Sequence, residues 1–166
     1  MYKTLELSSK IKMIVSDFDG IFTDSTVYIL NDATKIKKVS YKDLMGISLA
    51  VKNGLKVAIV SGEKSPEIDY IAERFGLVDI YQDIRLKAPI LQDIMSKYGY
   101  SDDEIAYIGD DVNDIGCLQQ VKYAITVNDA NYKLKQLEHI QIAQAPAGYG
   151  VFREVVDNIL ELRQLG

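Results

Sequence analysis

The chain has 166 residues, 48% of them hydrophobic, and its 24 acidic side chains against 19 basic ones leave a net charge of −5. A chain of this length buries about 70% of its unfolded surface on folding, so one domain over residues 1–166 is expected. Acidic character argues against a nucleic-acid partner, because phosphate backbones are held by clustered cations, and no apolar run reaches the roughly 18 residues that span a bilayer.

The opening MYKTLELSSKIK has neither the apolar stretch nor the small-residue cleavage site of a secretion signal. No membrane partner and a cytoplasmic location are therefore expected. IKMIVS (11–16) is the first of several short apolar runs, followed by LKVAIVS (55–61), VDIYQ (78–82), IAYIG (105–109), YAITV (123–127) and HIQIA (139–143). Their length and β-branched content suit buried parallel strands. After the first run, TVYIL and KIKKVSY flank NDAT, which predicts a β-hairpin flap over about 26–41.

Helix signals fill the gaps between runs. One helix is expected to open at Asp43 and stop at Asn53-Gly54, and a second to open at Ser65-Pro66-Glu67 and end at Gly76. VFREVVDNILELRQL closes the chain with Val151, Val155 and Ile159 spaced for one helical face. The alternation implies an α/β fold with a doubly wound, mostly parallel sheet. Cys117, the only cysteine, is read as a small packing residue, and His139, the only histidine, as structural or exposed rather than catalytic.

In such sheets ligands bind outside the carboxyl ends of the strands. Asp17, Asp19 and Gly20 follow the first run, Ser61-Gly62 the second, Lys87 the third, and Gly109-Asp110-Asp111 with Asp114 the fourth. Each has a mundane reading as a helix cap, a turn residue or a solvated lysine. Together the carboxylates need a cation, because each like-charged pair at about 4 Å costs about 4 kcal/mol at an effective dielectric of 20. Oxygen donors without His or Cys favour Mg²⁺ or Ca²⁺, and Gly20 directly after the second Asp of DFDGIFTD is wrong for an EF-hand. A cation, a lysine, a hydroxyl and backbone N–H groups suit a phosphate. Asp17 can then attack phosphorus to give an aspartyl-phosphate, while Asp19 protonates the leaving oxygen and later takes a proton from water.

DFDGIFTD, Ser61, Lys87 and GDDVND, in that order, resemble the haloacid dehalogenase superfamily of phosphatases. The resemblance implies Asp17 as nucleophile, Asp19 as general acid and base, and Ser61, Gly62 and Lys87 as phosphate ligands. It further implies Mg²⁺ held by Asp17, the Asp19 carbonyl and Asp110, supported by Asp111 and Asp114. With only a hairpin inserted after the first strand, and with YKDLMGI and GYGVFREVVDNIL present, the chain is similar to the capless branch typified by 3-deoxy-D-manno-octulosonate (KDO) 8-phosphate phosphatases. That likeness implies a small phosphorylated sugar acid as substrate and a homotetramer in which a neighbour's hairpin and C-terminal segment, including Arg153, complete each site.

Where the octulosonate enzymes usually carry Thr-Gly-Arg, this chain has Ser61-Gly62-Glu63-Lys64. Glu63 is similar to phosphatases of nine-carbon acids, the 9-phosphates of 2-keto-3-deoxynononic acid (KDN) and of sialic acids, and is expected to meet the sugar. Ile71, however, stands where that nine-carbon group can carry an arginine. The basic run TKIKKVSYK reads either as edge protection or as a collar for an anionic sugar acid. Two alternatives are a receiver-like signalling module, whose lysine would come last rather than before Asp110, and a catalytically silent phosphate-binding module.

Overall fold

The computed structural model describes residues 4–165. Six parallel strands form one sheet in the order β5-β4-β1-β6-β7-β8. They are β1 (Met13–Ser16), β4 (Lys56–Val60), β5 (Asp79–Tyr81), β6 (Ile105–Ile108), β7 (Tyr123–Thr126) and β8 (Ile140–Ile142), one from each expected apolar run. Every residue of β1 and β6 is buried, as a strand covered on both faces requires. Strand β1 sits between β4 and β6, and from it the chain builds first one side of the sheet and then the other. Ser16 is level with both Ile59 and Ile108. The loops after β1, β4 and β6 therefore leave the sheet at nearly one height, around the crevice where the winding reverses.

Helices α1 (Tyr41–Lys52), α2 (Pro66–Phe75), α3 (Lys87–Tyr98), the short α4 (Ile115–Leu118) and α5 (Val151–Leu165) flank the sheet. Helix α2 begins and ends as expected, with Ser65 ahead of Pro66 and Gly76 at φ +65° after its last turn. Helix α1 does not open at Asp43. Ser40 is its N-cap and accepts a hydrogen bond from the Lys42 N–H, while the fully buried Asp43 side chain accepts from Gly150 N–H at 3.0 Å and Arg153 N–H at 3.2 Å. Asp43 thus caps the start of α5 from another helix, a role fixed by tertiary packing. Gly46 lets the two helices meet, because a Cβ there would lie 3.0 Å from Arg153 Cα.

The flap is present but its paired part is short: β2 (Tyr28–Ile29) and β3 (Lys35–Ile36) are antiparallel, and Ser40 and Tyr41 already belong to α1 and its cap. Cys117 is fully buried, and burial pushes its thiol up to about 11, which suits packing rather than nucleophilic work. His139 Nε2 lies 2.8 Å from the Leu118 carbonyl. No helix among the described residues is long and apolar enough to cross a membrane.

Candidate active site

A cavity of about 440 Å³ opens at the carboxyl ends of β1, β4 and β6, lined by Asp17, Asp19, Ser61, Gly62, Glu63, Asp110 and Asp111 together with Lys35, Lys37 and Asn113. The strands and the turns that follow them aim these residues at one point.

Asp17 is buried at the end of β1, where its N–H donates to the Ile108 carbonyl at 2.9 Å and ties the loop to β6. Its Oδ1 accepts from Phe18 N–H at 2.7 Å and pairs with Lys87 Nζ at 2.8 Å. Burial and the nearby Asp114 charge push its carboxyl well above the ordinary range, against the pull of Lys87. Asp110 is lifted to about 6, chiefly by burial. The two carboxyls lie close together, so each makes ionisation of the other less favourable.

Asp114 is fully buried and saturated: Oδ1 accepts from Lys87 Nζ at 2.9 Å and Tyr107 OH at 2.7 Å, and Oδ2 accepts the N–H groups of Asp110 at 3.1 Å and Asp111 at 3.3 Å. It folds the loop after β6 and holds Lys87 in place. Gly109 permits this, since a Cβ there would stand 2.4 Å from Asp114 Cβ. Lys87, the first residue of α3, is also fully withdrawn from solvent and reaches Asp17 and Asp114 from beneath the cavity floor. Burial alone would lower its pKa, but the two carboxylates more than reverse this and keep it charged.

One carboxylate oxygen from each of Asp17, Asp110 and Asp114 lies within 4.8 Å of the others. The all-oxygen donor set fits a hard divalent cation such as Mg²⁺, whose charge would offset the crowding of the carboxylates. Because Asp114 is already saturated, Asp17 and Asp110 are the side chains able to turn an oxygen to the ion. Gly20 leaves the space for it: at φ +86°, a Cβ would fall 1.7 Å from Asp110 Oδ2.

Asp19 stands on the cavity wall, its Oδ1 accepting from Thr23 Oγ1 at 3.0 Å and its Oδ2 from Lys37 Nζ at 2.7 Å. Ser61 is buried at the end of β4 and accepts the Glu63 N–H at 3.2 Å. Glu63 faces Lys37 at 3.6 Å and Lys35 at 3.8 Å, so the basic run of the hairpin is a collar over the cavity as well as an edge. Arg153 lies apart from this cavity, on a second surface beside Tyr149 and Gly150, with Nε paired to Asp157 at 2.8 Å. Asn113 escaped sequence reasoning, and Lys37 is read there only as part of the basic run. The signals for them were the alternation Lys35-Ile36-Lys37, which sends both lysines to one face of a strand, and the Asn within GDDVND.

This fold and site define a class. Residues 63–154 match the family model of haloacid dehalogenase-like hydrolases, and the chain belongs to that family as a phosphatase, a phosphoric monoester hydrolase. Within it, the chain is 28% identical over 153 residues to the 3-deoxy-D-manno-octulosonate 8-phosphate phosphatase KdsC of Salmonella typhi, covering 92% of this chain and 81% of that one. The structure of the same enzyme from Moraxella catarrhalis, in complex with magnesium, phosphate and KDO, superposes with a TM-score of 0.88 at 27% identity, covering 94% of this chain and 89% of that one. A haloacid dehalogenase superfamily (subfamily III A) hydrolase from Legionella pneumophila superposes with a TM-score of 0.90 at 31% identity, covering 96% and 87%.

Proposed function

We propose that this protein is a Mg²⁺-dependent phosphatase that removes the terminal phosphate of a 3-deoxy-2-keto sugar acid through a phosphorylated Asp17. The observation that carries the reading is Asp17 itself, a buried carboxylate with Lys87 at 2.8 Å and Asp110 beside it at the mouth of a polar cavity. A receiver-like module lacks this order of elements, and a silent binding module has no use for so costly a group.

Asp17, Asp110 and the Asp19 carbonyl would hold the ion, with Asp111 beside them. Mg²⁺, when bound, offsets the charge on the phosphoryl oxygens and lets an anionic nucleophile approach them. Lys87 orients the Asp17 carboxyl and favours its ionised form against burial, and Ser61 with the backbone at Gly62 supplies hydrogen bonds to the phosphoryl oxygens. An Asp17 oxygen bonds to phosphorus as the bond to the sugar oxygen breaks, and Asp19 gives its proton to that oxygen. Asp19 then takes a proton from water, whose oxygen displaces Asp17 and releases inorganic phosphate.

The substrate is an eight- or nine-carbon acid, with nine favoured. Glu63 and the hairpin lysines ring the cavity mouth, and a carboxylate there accepts hydrogen bonds from hydroxyl or amine groups of a longer sugar. The test is phosphate release from KDO 8-phosphate, KDN 9-phosphate and sialic acid 9-phosphate, with and without Mg²⁺. Turnover of at least one of them, lost on chelation, is expected; failure on all three, with or without metal, overturns the reading. The protein assembles as a homotetramer, supported by the exposed Tyr28, Ile29 and Ile36 of a hairpin too small to be stable alone.

A further inference from the structure

We infer that Lys37 is a positioning residue for Asp19, aligning the carboxyl that protonates the leaving group and fastening the flap to the catalytic loops; this rests on the reading of Asp19 as general acid. Lys37 touches three parts of the fold. Its Nζ donates to Asp19 Oδ2 at 2.7 Å and lies 3.6 Å from Glu63 Oε2, its backbone N–H donates to Glu67 Oε1 at 3.1 Å, and its ammonium sits 5.9 Å from the Phe18 ring centroid. The hairpin is thereby tied to the loop after β1 and to the start of α2.

Packing does not account for this. Directly after β3 the extended chain turns Lys37 inward, its side chain 3% exposed, and leaves Ile36 46% exposed. A shift of one residue would exchange the two faces of the strand and put the isoleucine inside, which burial favours, whereas a buried ammonium must be compensated. The flap keeps the costly register and spends its cation on Asp19.

The contact is also directional. Thr23 Oγ1 holds one Asp19 oxygen and Lys37 Nζ the other, so the carboxyl plane is fixed from two sides. Asp19 cannot turn without breaking one of the two, and proton transfer depends on that alignment.

The test uses the full-length protein with Mg²⁺ and compares kcat/KM for 4-nitrophenyl phosphate, whose leaving group needs no proton, with that for a primary alkyl phosphate, whose leaving group does. In Lys37→Met the aryl-to-alkyl ratio is expected to rise by about 30-fold, part of the 10²–10⁴ that a placed general acid supplies. In an Asp19→Asn background the same substitution should add nothing to the ratio, because Lys37 acts through Asp19. Lys37→Arg, which restores a charged donor, should return the ratio towards wild type. If the methionine variant does not fold, Lys37→Gln takes its place, since its shorter side chain also gives up the contact. Equal losses on both substrates, or a further rise in the Asp19→Asn background, would overturn the inference while leaving the phosphatase reading intact. With KDO 8-phosphate, KDN 9-phosphate and sialic acid 9-phosphate as the alkyl esters tried, a wild-type protein that released phosphate from none of them would overturn that reading, and this inference with it.

Discussion

At the scale of single residues, the site is built from carboxylates that folding would rather not bury. Burial and Asp114 push the Asp17 carboxyl well above the ordinary range against the pull of Lys87, so its ionised form is costly to hold and Asp17→Asn removes that cost together with the nucleophile. Turnover is expected to fall by about 10³ or more, while the thermal unfolding midpoint stays level or rises, the usual trade between a strained site and stability. Phosphate release and calorimetry on the same sample check both halves; a variant that kept its activity would exclude Asp17 as nucleophile. Glu63 has a different logic. Its ion pairs at 3.6 and 3.8 Å are loose and its side chain is 59% exposed, so it is available to a ligand. Glu63→Arg should shift the nine- to eight-carbon ratio of kcat/KM by about tenfold or more. An unchanged ratio would remove the preference for nine carbons.

At the scale of elements, the sheet was legible because its strands are buried on both faces and so read as unbroken apolar runs, and α2 because Pro66 and Gly76 mark its ends. The start of α1 was not, since Asp43 looks like a cap for its own helix and becomes one for α5 only when the two helices pack. Lys87 and Asp114 were visible as site residues but not as partners, because the groups that bind them come from separate loops. Asp43 also leads to a pH prediction. Burial lifts its carboxyl from the ordinary 3.8 to about 6, which corresponds to about 3 kcal/mol. The folded protein binds this proton more tightly than the unfolded chain does, so the group's stabilising contribution is complete below about pH 4 and is lost as pH rises through about 6. In Asp43→Asn that part of the pH dependence should vanish, narrowing the stability difference between pH 4 and pH 7 by about 3 kcal/mol. Urea unfolding of both proteins across that range decides it; parallel curves would place the ionisation of Asp43 elsewhere.

At the scale of the whole molecule, the strand-end loops make the floor of the cavity and the hairpin makes part of its wall. The hairpin stands over the cavity with Lys35 and Lys37 turned in, while Tyr28 at 72% exposure and its cross-strand partner Ile36 at 46% share the opposite face and point outward. An apolar surface on so small a ribbon is what association would cover. Ile36→Glu places a charge on that outward surface without touching the cavity residues, and should convert a tetramer into smaller species by light scattering, because an unpaired buried charge is costly. If the neighbour supplies part of the sugar site, kcat/KM for the sugar-acid phosphate should drop by about tenfold or more in the dissociated protein, while Mg²⁺ affinity measured by calorimetry stays the same. Arg153 separates assembly from contact. Within one chain it is tied to Asp157 and lies away from the cavity, so Arg153→Ala has no route to its own active site. A tetrameric Arg153→Ala protein with raised KM and unchanged Mg²⁺ binding would place the guanidinium at a neighbour's sugar. Wild-type kinetics in that variant would leave Arg153 an ordinary surface residue of α5, and a monomeric, fully active wild type would remove the tetramer altogether.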